Sequence, residues 1–308
     1  MAISEGSRRT YNTGEMIYLE FCQTYGIDPF PAKEHNLNLF VSFLARNHSY
    51  NTIRTYLAAI RFANINAGFS SEFAKMEALH MSLKGVKRLK GALSRPKRQP
   101  VTIDTLKLLT NGLRTLTMDE RDKLMLWAAF TTAFFAFLRS AEFCAPQNNS
   151  FDPHSCLLVK DVKVSSHAAI VNIKVSKADP FRNGQAVRLS ATGSSVCPLR
   201  ALRNHLVHCM NPEIPLFTFI DNSFLTRQRL TSIVRDLLKH SGAESSQLSS
   251  HSFRIGAATT AAAAQVPDWL IKVLGRWSSN CYQQYIRTPK EVIDNVPRLL
   301  AQTSVNHS

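Results

Sequence analysis

"HSFRIGAATTAAAAQVPDWLIKVLGRWSSNCYQQYIR", from His251 to Arg287, is the stretch on which the reading of the chain turns. It sets His251 and Arg254 three residues apart, continues as an alanine-rich run, and closes with Trp277, Tyr282 and Tyr285. On a helix His251 and Arg254 share a face. Alone, they describe a surface helix start capped by Ser249 or Ser250. "IGAATTAAAAQ" predicts a helix of small residues that lets another backbone approach closely. Pro267 opens "PDWLIKVLG" and Gly275 closes it. Two helices joined by a short turn also describe a helix-turn-helix DNA reader, and the two tyrosines are most simply packing aromatics. The rest of the chain has to decide.

The 308 residues suffice for two ordinary domains, and an apolar fraction of 44% supports a sizeable core. Lys and Arg number 37 against 22 Asp and Glu, a formal net charge of +15. Such an excess favours a polyanionic partner, nucleic acid foremost. A membrane surface is the rival, weakened because no Lys-rich amphipathic helix or lipidation signal stands out. The six cysteines are scattered without a C-x-x-C pair, and "MAISEGSRRTYNTGE" lacks the apolar core of a signal peptide. This predicts a reducing compartment, no secretion, and thiols packed as small apolar groups. "LMLWAAFTTAFFAFL", Leu124 to Leu138, is too short to span a bilayer comfortably and reads as a buried core helix.

Apolar residues at three-and-four spacing predict helices in "TGEMIYLEFCQTYG", "LNLFVSFLARN" and "SYNTIRTYLAAIRFANINAG", the last capped by Ser49 or Asn51 and stopped at Gly68. "LKGVKRLKGALSRPKRQPVT" then changes composition and looks like a basic linker, a solvated hinge or a segment lying along phosphates. β-Branched runs in "LLVKDVKV", "AIVNIKVS" and "QAVRLS", parted by turn-forming residues, predict a small antiparallel sheet between about Leu157 and Ser190. Helical patterns follow in "PLRALRNHLVHCM" and "TRQRLTSIVRDLLKHSG". The predicted organisation is a helical domain over 1–92, a basic linker over 93–100, and a mostly helical domain with one sheet over 101–308.

Upstream, "FLRSAEF" places Arg139 just after the apolar helix, with Glu142 three residues on. An ion pair between them is the plain reading, but the end of a core helix is also a rigid mount for a phosphate-binding arginine. Lys177, in "KVSKADPFRNG", sits where a strand runs into a turn; by itself it is an exposed hairpin lysine. In this order "FLRSAEF", "VSKADPFRNG", "HSFRIGAA", "LGRW" and "YIR" resemble the tyrosine recombinases of the phage-integrase family. "YNTIRTYLAAIR" likewise resembles their helical core-binding domain, so the resemblance covers nearly the whole chain. The wording is most similar to recombinases of eukaryotic Crypton and DIRS/Ngaro mobile elements. The implied fold is mainly α with a small antiparallel β-sheet: a helical, SAM-like core-binding domain followed by a tyrosine recombinase catalytic domain.

The resemblance implies roles residue by residue. The family's first arginine falls on Arg139 and its acidic helper on Glu142. The sheet lysine falls on Lys177, with Lys174 near enough to compete. The His-x-x-Arg pair falls on His251 and Arg254, and the nucleophile on Tyr285 rather than Tyr282. One position departs from the pattern. Most members have His at the third position of "LGH", where this chain has Arg276 followed by Trp277; Trp277 takes the role with a one-residue shift, and Arg276 is the alternative.

The implied reaction breaks a DNA phosphodiester and forms a 3′-phosphotyrosyl bond. Tyrosine is a weak nucleophile at its free pKa of about 10, so it must be positioned and relieved of its proton. Arg139 and Arg254 offer planar forks of donors to the phosphoryl oxygens. His251 donates a hydrogen bond or takes the proton, and Lys177 protonates the leaving 5′-oxygen. No cofactor is expected, because the His and Cys residues show no metal-ligand spacing and no G-x-x-x-x-G-K-[ST] loop is present.

The expected partner is double-stranded DNA, held by Arg54 and Arg61 on one helical face and by Lys84, Lys87, Arg88, Lys90, Arg95, Lys97 and Arg98. Paired sites imply a homodimer or tetramer on DNA. "EVIDNVPRLLAQTSVNHS" either docks on a neighbouring subunit, as the resemblance implies, or caps its own domain. The resemblance further implies a nuclear protein if the source is eukaryotic, and a cytoplasmic one otherwise. A type IB topoisomerase shares the chemistry but is disfavoured by the N-terminal domain. The alternative is a catalytically inactive recombinase descendant that binds DNA, for which the Arg276–Trp277 departure speaks.

Overall fold

The structure is a computed structural model that describes residues 5–70, 72–91, 98–176, 179, 181–284, 286, 294 and 297. Arg95, Lys97, Lys177, Tyr285 and nearly all of the C-terminal docking stretch therefore lie outside the described residues. The chain divides into two compact units, Met1–Pro96 and Lys97–Ser308.

The first unit is built of helices α1 (Glu5–Tyr25), α2 (Glu34–Ala45), α3 (Tyr50–Asn66) and α4 (Glu77–Gly91). Helix α1 packs on α3 and α2 on α4. Their apolar stripes close a core around Tyr18, Phe21, Leu37, Phe40, Ile53 and Ile60. Ser49 is the α3 cap, its side chain accepting from the Thr52 backbone N–H. Lys84, Lys87, Arg88 and Lys90, the first basic residues of the stretch that looks like a linker, belong to α4, within the helical domain expected over 1–92. Leu79 and Val86 are buried and Leu83 packs against the core. That stripe keeps the chain helical past the frequent lysines and Gly85, while Lys84, Lys87 and Arg88 lie on the exposed face.

The second unit contains α5 (Ile103–Thr115), α6 (Glu120–Phe135), the short α7 (Ser140–Phe143), β1 (Val162–Val164), β2 (Ala168–Ile173), β3 (Gln185–Ser190), α8 (Pro198–Leu206), α9 (Arg227–His240), α10 (Ser252–Ala263) and α11 (Asp268–Leu274). Helix α6 is apolar on nearly every side and accordingly is buried from Ala128 through Phe134. It packs against α5, α8 and α10, with Phe130 stacked on Phe253 at 5.6 Å between ring centres. The sheet is antiparallel in the order β1-β2-β3, with Val171 opposite Val162 and Val187. Ala169, Val171 and Ile173 face the core and α8 covers that side.

Helix α10 is buried from Ser252 through Thr259, so it is a core helix and cannot enter a DNA groove as half of a helix-turn-helix reader. Its small residues serve the close approach read from the sequence. The backbone at Val101 crosses Gly256, where an added Cβ would lie 1.7 Å from the Val101 carbonyl oxygen. Val101 N–H donates to Ser252 O at 2.9 Å and Gln99 N–H to Gln247 O at 3.1 Å. The end of the expected linker is thus fastened to the second unit. We predict that Gly256→Ala destabilises this unit by about 1–3 kcal/mol through overpacking. Urea unfolding checks it: the midpoint should fall, and an unchanged midpoint would refute the close approach.

Candidate active site

Helix α6 ends in a left-handed residue that is not glycine: Phe137 has φ of 51°. A bulky side chain is costly there, so the conformation persists only where its surroundings hold it. Two buried guanidinium groups do so. Arg254, from α10, donates to the Phe137 carbonyl at 2.5 Å and to the Gly275 carbonyl. Arg276 donates to the Ala136 carbonyl at 3.0 Å and the Phe137 carbonyl at 3.3 Å. These are helix-end carbonyls that the turns leave without intrahelical partners.

Glu142 lies at the centre, its side chain 2% exposed. One oxygen, Oε1, accepts from Arg139 Nη1 and from Ser176 Oγ, both at 2.9 Å. The other, Oε2, accepts from the Arg139 backbone N–H at 2.9 Å and Arg276 Nη2 at 2.7 Å. Burial by itself would raise the Glu142 carboxyl; the Arg276 charge and the Arg139 contacts outweigh it and hold the group below the ordinary glutamate value. Arg139 gives only Nη1 to Glu142 and Ser176. Its Nε and Nη2 have no hydrogen-bond partner among the described residues.

His251 opens α10, half-buried. Burial first, then the charges of Arg98, Arg254, Arg227 and Arg139, push its imidazole below the ordinary histidine value. The ring is therefore neutral near pH 7, and one nitrogen can accept a proton. Arg139, His251 and Arg254 are thus brought together, with exposed Arg98 at the same place.

Arg254 departs from the expected role as an open phosphate fork. It is 1% exposed, its guanidinium 4.2 Å from the centre of the Trp277 ring and its terminal nitrogens on carbonyls. Trp277 is buried too, folded back over Gly275, where an added Cβ would meet the ring at 1.6 Å. Both candidates for the departed position therefore turn inward, Trp277 onto Arg254 and Arg276 onto Glu142. Tyr282 packs on Trp277 with ring centres 6.0 Å apart and donates to Asp268 at 3.3 Å. Burial, then Asp268, raises its phenol. Lys174 is tied to Asp161 at 2.7 Å and to the Pro153 carbonyl at 2.8 Å.

Sequence reasoning missed Ser176 and Arg227. Ser176 was one residue from the lysine singled out, but nothing in its spacing signalled a bridge to Glu142. Arg227, at the start of α9, was visible only as one more basic residue.

On the first unit, Arg54 and Lys87 flank the Tyr50 ring at 5.8 and 5.9 Å. They line a groove with Lys90 at the α3 N-terminus, while Arg54 and Arg61 share the neighbouring groove. The predicted common face of these arginines is therefore present.

No family model matches the chain. It is 26% identical over 255 residues to an integrase/recombinase xerD homolog of Selenomonas ruminantium, covering 80% of this chain and 70% of that protein. The structure is similar to that of XerH site-specific recombinase bound to palindromic difH substrate in a post-cleavage complex, with a TM-score of 0.61 and 17% identity over 88% of this chain and 70% of that one. It is also similar to the Tn1549 transposon integrase in complex with circular intermediate DNA, with a TM-score of 0.60 and 13% identity over 98% and 95% of the two chains. A lambda integrase dimer bound to a COC′ core site gives a TM-score of 0.59 and 13% identity over 93% and 90%. The fold is that of the tyrosine recombinases, mainly helical with a small three-stranded antiparallel sheet. The sequence match to the xerD homolog supports the tyrosine recombinase/integrase family.

Glu142→Gln should destabilise the second unit by about 3–5 kcal/mol at neutral pH, because it leaves buried Arg276 without its counter-charge. The sign with pH follows from the lowered carboxyl. Its contribution is whole above the unfolded glutamate value of about 4.3 and is lost as pH falls through the folded value. Thermal unfolding of wild type and variant between neutral and acid pH checks this: the gap should close on acidification, and a constant gap would contradict it.

Proposed function

We propose that this chain is a tyrosine-type DNA strand-exchange recombinase or integrase of mobile-element origin, acting on duplex DNA through a 3′-phosphotyrosyl intermediate. The observation that carries the reading is the gathering of Arg139 and Arg254 near His251, with Arg139 mounted on the buried Glu142, on a fold shared with DNA-bound recombinases. Arg139 holds its free guanidinium edge toward the phosphoryl oxygens, and neutral His251 takes or shares the proton of the attacking phenol. Tyr285 is the nucleophile; the packing and hydrogen bond of Tyr282 support that choice over its neighbour. Lys177 protonates the leaving 5′-oxygen, a choice supported by the ion pair that occupies Lys174. Trp277 acts by holding Arg254. The similarity to a transposon integrase supports the mobile-element origin, and the resemblance to Crypton and DIRS/Ngaro recombinases supports a eukaryotic, nuclear setting.

Each unit would carry its own DNA-facing set: Arg54, Arg61, Lys84, Lys87, Arg88 and Lys90 on the first, Arg98 and Arg227 on the second; Arg95 and Lys97, outside the described residues, complete the expected set. Paired sites require two or four subunits on DNA. One observation favours the second reading, a recombinase descendant that binds DNA without cutting it: Arg254 gives its terminal nitrogens to carbonyls of the fold.

Supercoiled plasmid incubated with wild type and with Tyr285→Phe, then quenched with detergent, separates the readings. Covalent protein–DNA adducts and relaxed topoisomers are expected from the wild type alone. Adducts from the variant as well would remove Tyr285 as nucleophile, and tight binding without adducts across a library of sites would favour the non-cutting reading. Reversing charge in the first unit tests its interface: Arg54→Glu/Lys87→Glu should weaken binding across all sequences and reduce the slope of log affinity against log salt by about 1 per lost phosphate contact. An unchanged slope would remove that groove from the DNA surface.

A further inference from the structure

Arg276 stands where most tyrosine recombinases have histidine, and it is 8% exposed. With φ of 54° it turns back toward the end of α6. Its guanidinium spans two jobs. Nη1 and Nη2 hold the Ala136 and Phe137 carbonyls, and Nη2 also reaches Glu142 Oε2 at 2.7 Å. The opposite oxygen of the same carboxylate holds Arg139 Nη1 and Ser176 Oγ. One carboxylate therefore joins a buried arginine that faces the core to a partly exposed one whose remaining donors are open.

We propose that Arg276 is a positioning residue: by keeping Glu142 ionised and fixed, it sets the orientation in which Arg139 meets the scissile phosphate. This rests on the recombinase reading above. A buried carboxylate without enough positive charge beside it takes up a proton. A protonated Glu142 would keep a hydrogen bond to Ser176 at best and lose the charge that holds Arg139 Nη1. Among the described residues the charged groups facing Glu142 are Arg139, from its own short helix, and Arg276, from the turn after α11; Ser176, after β2, adds a hydroxyl. Arg139 cannot hold the carboxylate and be held by it, so the fixed partner is Arg276. Lysine at this position would keep the charge but lose the fork whose two tips reach the Ala136 carbonyl and Glu142.

The test is the pH dependence of adduct formation on supercoiled plasmid by the full chain, for wild type, Arg276→Met, Arg276→Lys, Glu142→Gln and the double variant Glu142→Gln/Arg276→Met. Arg276→Met should slow adduct formation about 10- to 100-fold, as loss of outer-shell partners does at metal sites. Its acid limb should also move to higher pH, because the largest influence lowering the carboxyl is gone while burial remains. Arg276→Lys should return the limb part of the way, and the double variant should be no slower than Glu142→Gln. A merely structural arginine would slow the reaction without moving the limb, and that outcome, or independent effects in the double variant, overturns the proposal. If Arg276→Met does not fold, Arg276→Lys against wild type decides, with the same limb as the readout. If the wild type forms no adduct, the recombinase reading fails, and the positioning claim rests on the Arg139 side-chain Nε–Hε resonance, assigned with Arg139→Lys. That signal should be sharp in the wild type and broadened in the Arg276 variant; the same signal in both overturns it.

Discussion

A carboxylate removed from water must be paired on both oxygens or take up a proton, and the second unit is arranged around one such group. Glu142 accepts four hydrogen bonds from three residues that are distant in sequence or separated by a turn. The arginine on its inner side also satisfies the carbonyls exposed where α6 ends, which Arg254 shares. The left-handed Phe137, the start of α7, the end of α11 and the segment after β2 are thereby fixed against one another. Removing the charge would release several turns at once, since each uses donors that another depends on.

The same arrangement orders the chemistry. Arg139 is the arginine left partly open, while Arg254 and Arg276 are spent on the fold, with Arg254 sandwiched against Trp277. Burial, and after it the charges of Arg98, Arg254, Arg227 and Arg139, keep the His251 imidazole neutral, the state in which it can accept a proton. A cluster of positive charge with a neutral base inside it suits a phosphodiester, whose oxygens supply the missing negative charge.

Much of this was legible in the residues. The unbroken apolar run from Leu124 to Leu138 could only be buried, and α6 is. The small residues of α10 predicted a close backbone approach, which Val101 makes over Gly256. Arg139 and Glu142 were paired by spacing alone. What could not be read was the direction of Arg276, because an inward turn depends on a left-handed backbone at a non-glycine residue and on carbonyls 140 positions away. Nor could the burial of Arg254 be read, since the expectation of an open fork took the residue type for its environment. The repeated lysines of α4 looked in part like a tether although they fell within the expected helical domain, and packing of Leu79 and Val86 on the first core holds them in the helix.

In the proposed reaction the groups gathered about Glu142 serve a tyrosine that becomes joined to DNA. Trapping that product and sequencing the attached peptide by tandem mass spectrometry after nuclease digestion tests it most directly. A nucleotide 3′-phosphate is expected on the peptide containing "YIR", at Tyr285. A nucleotide on Tyr282, or on a residue outside the second unit, would contradict it.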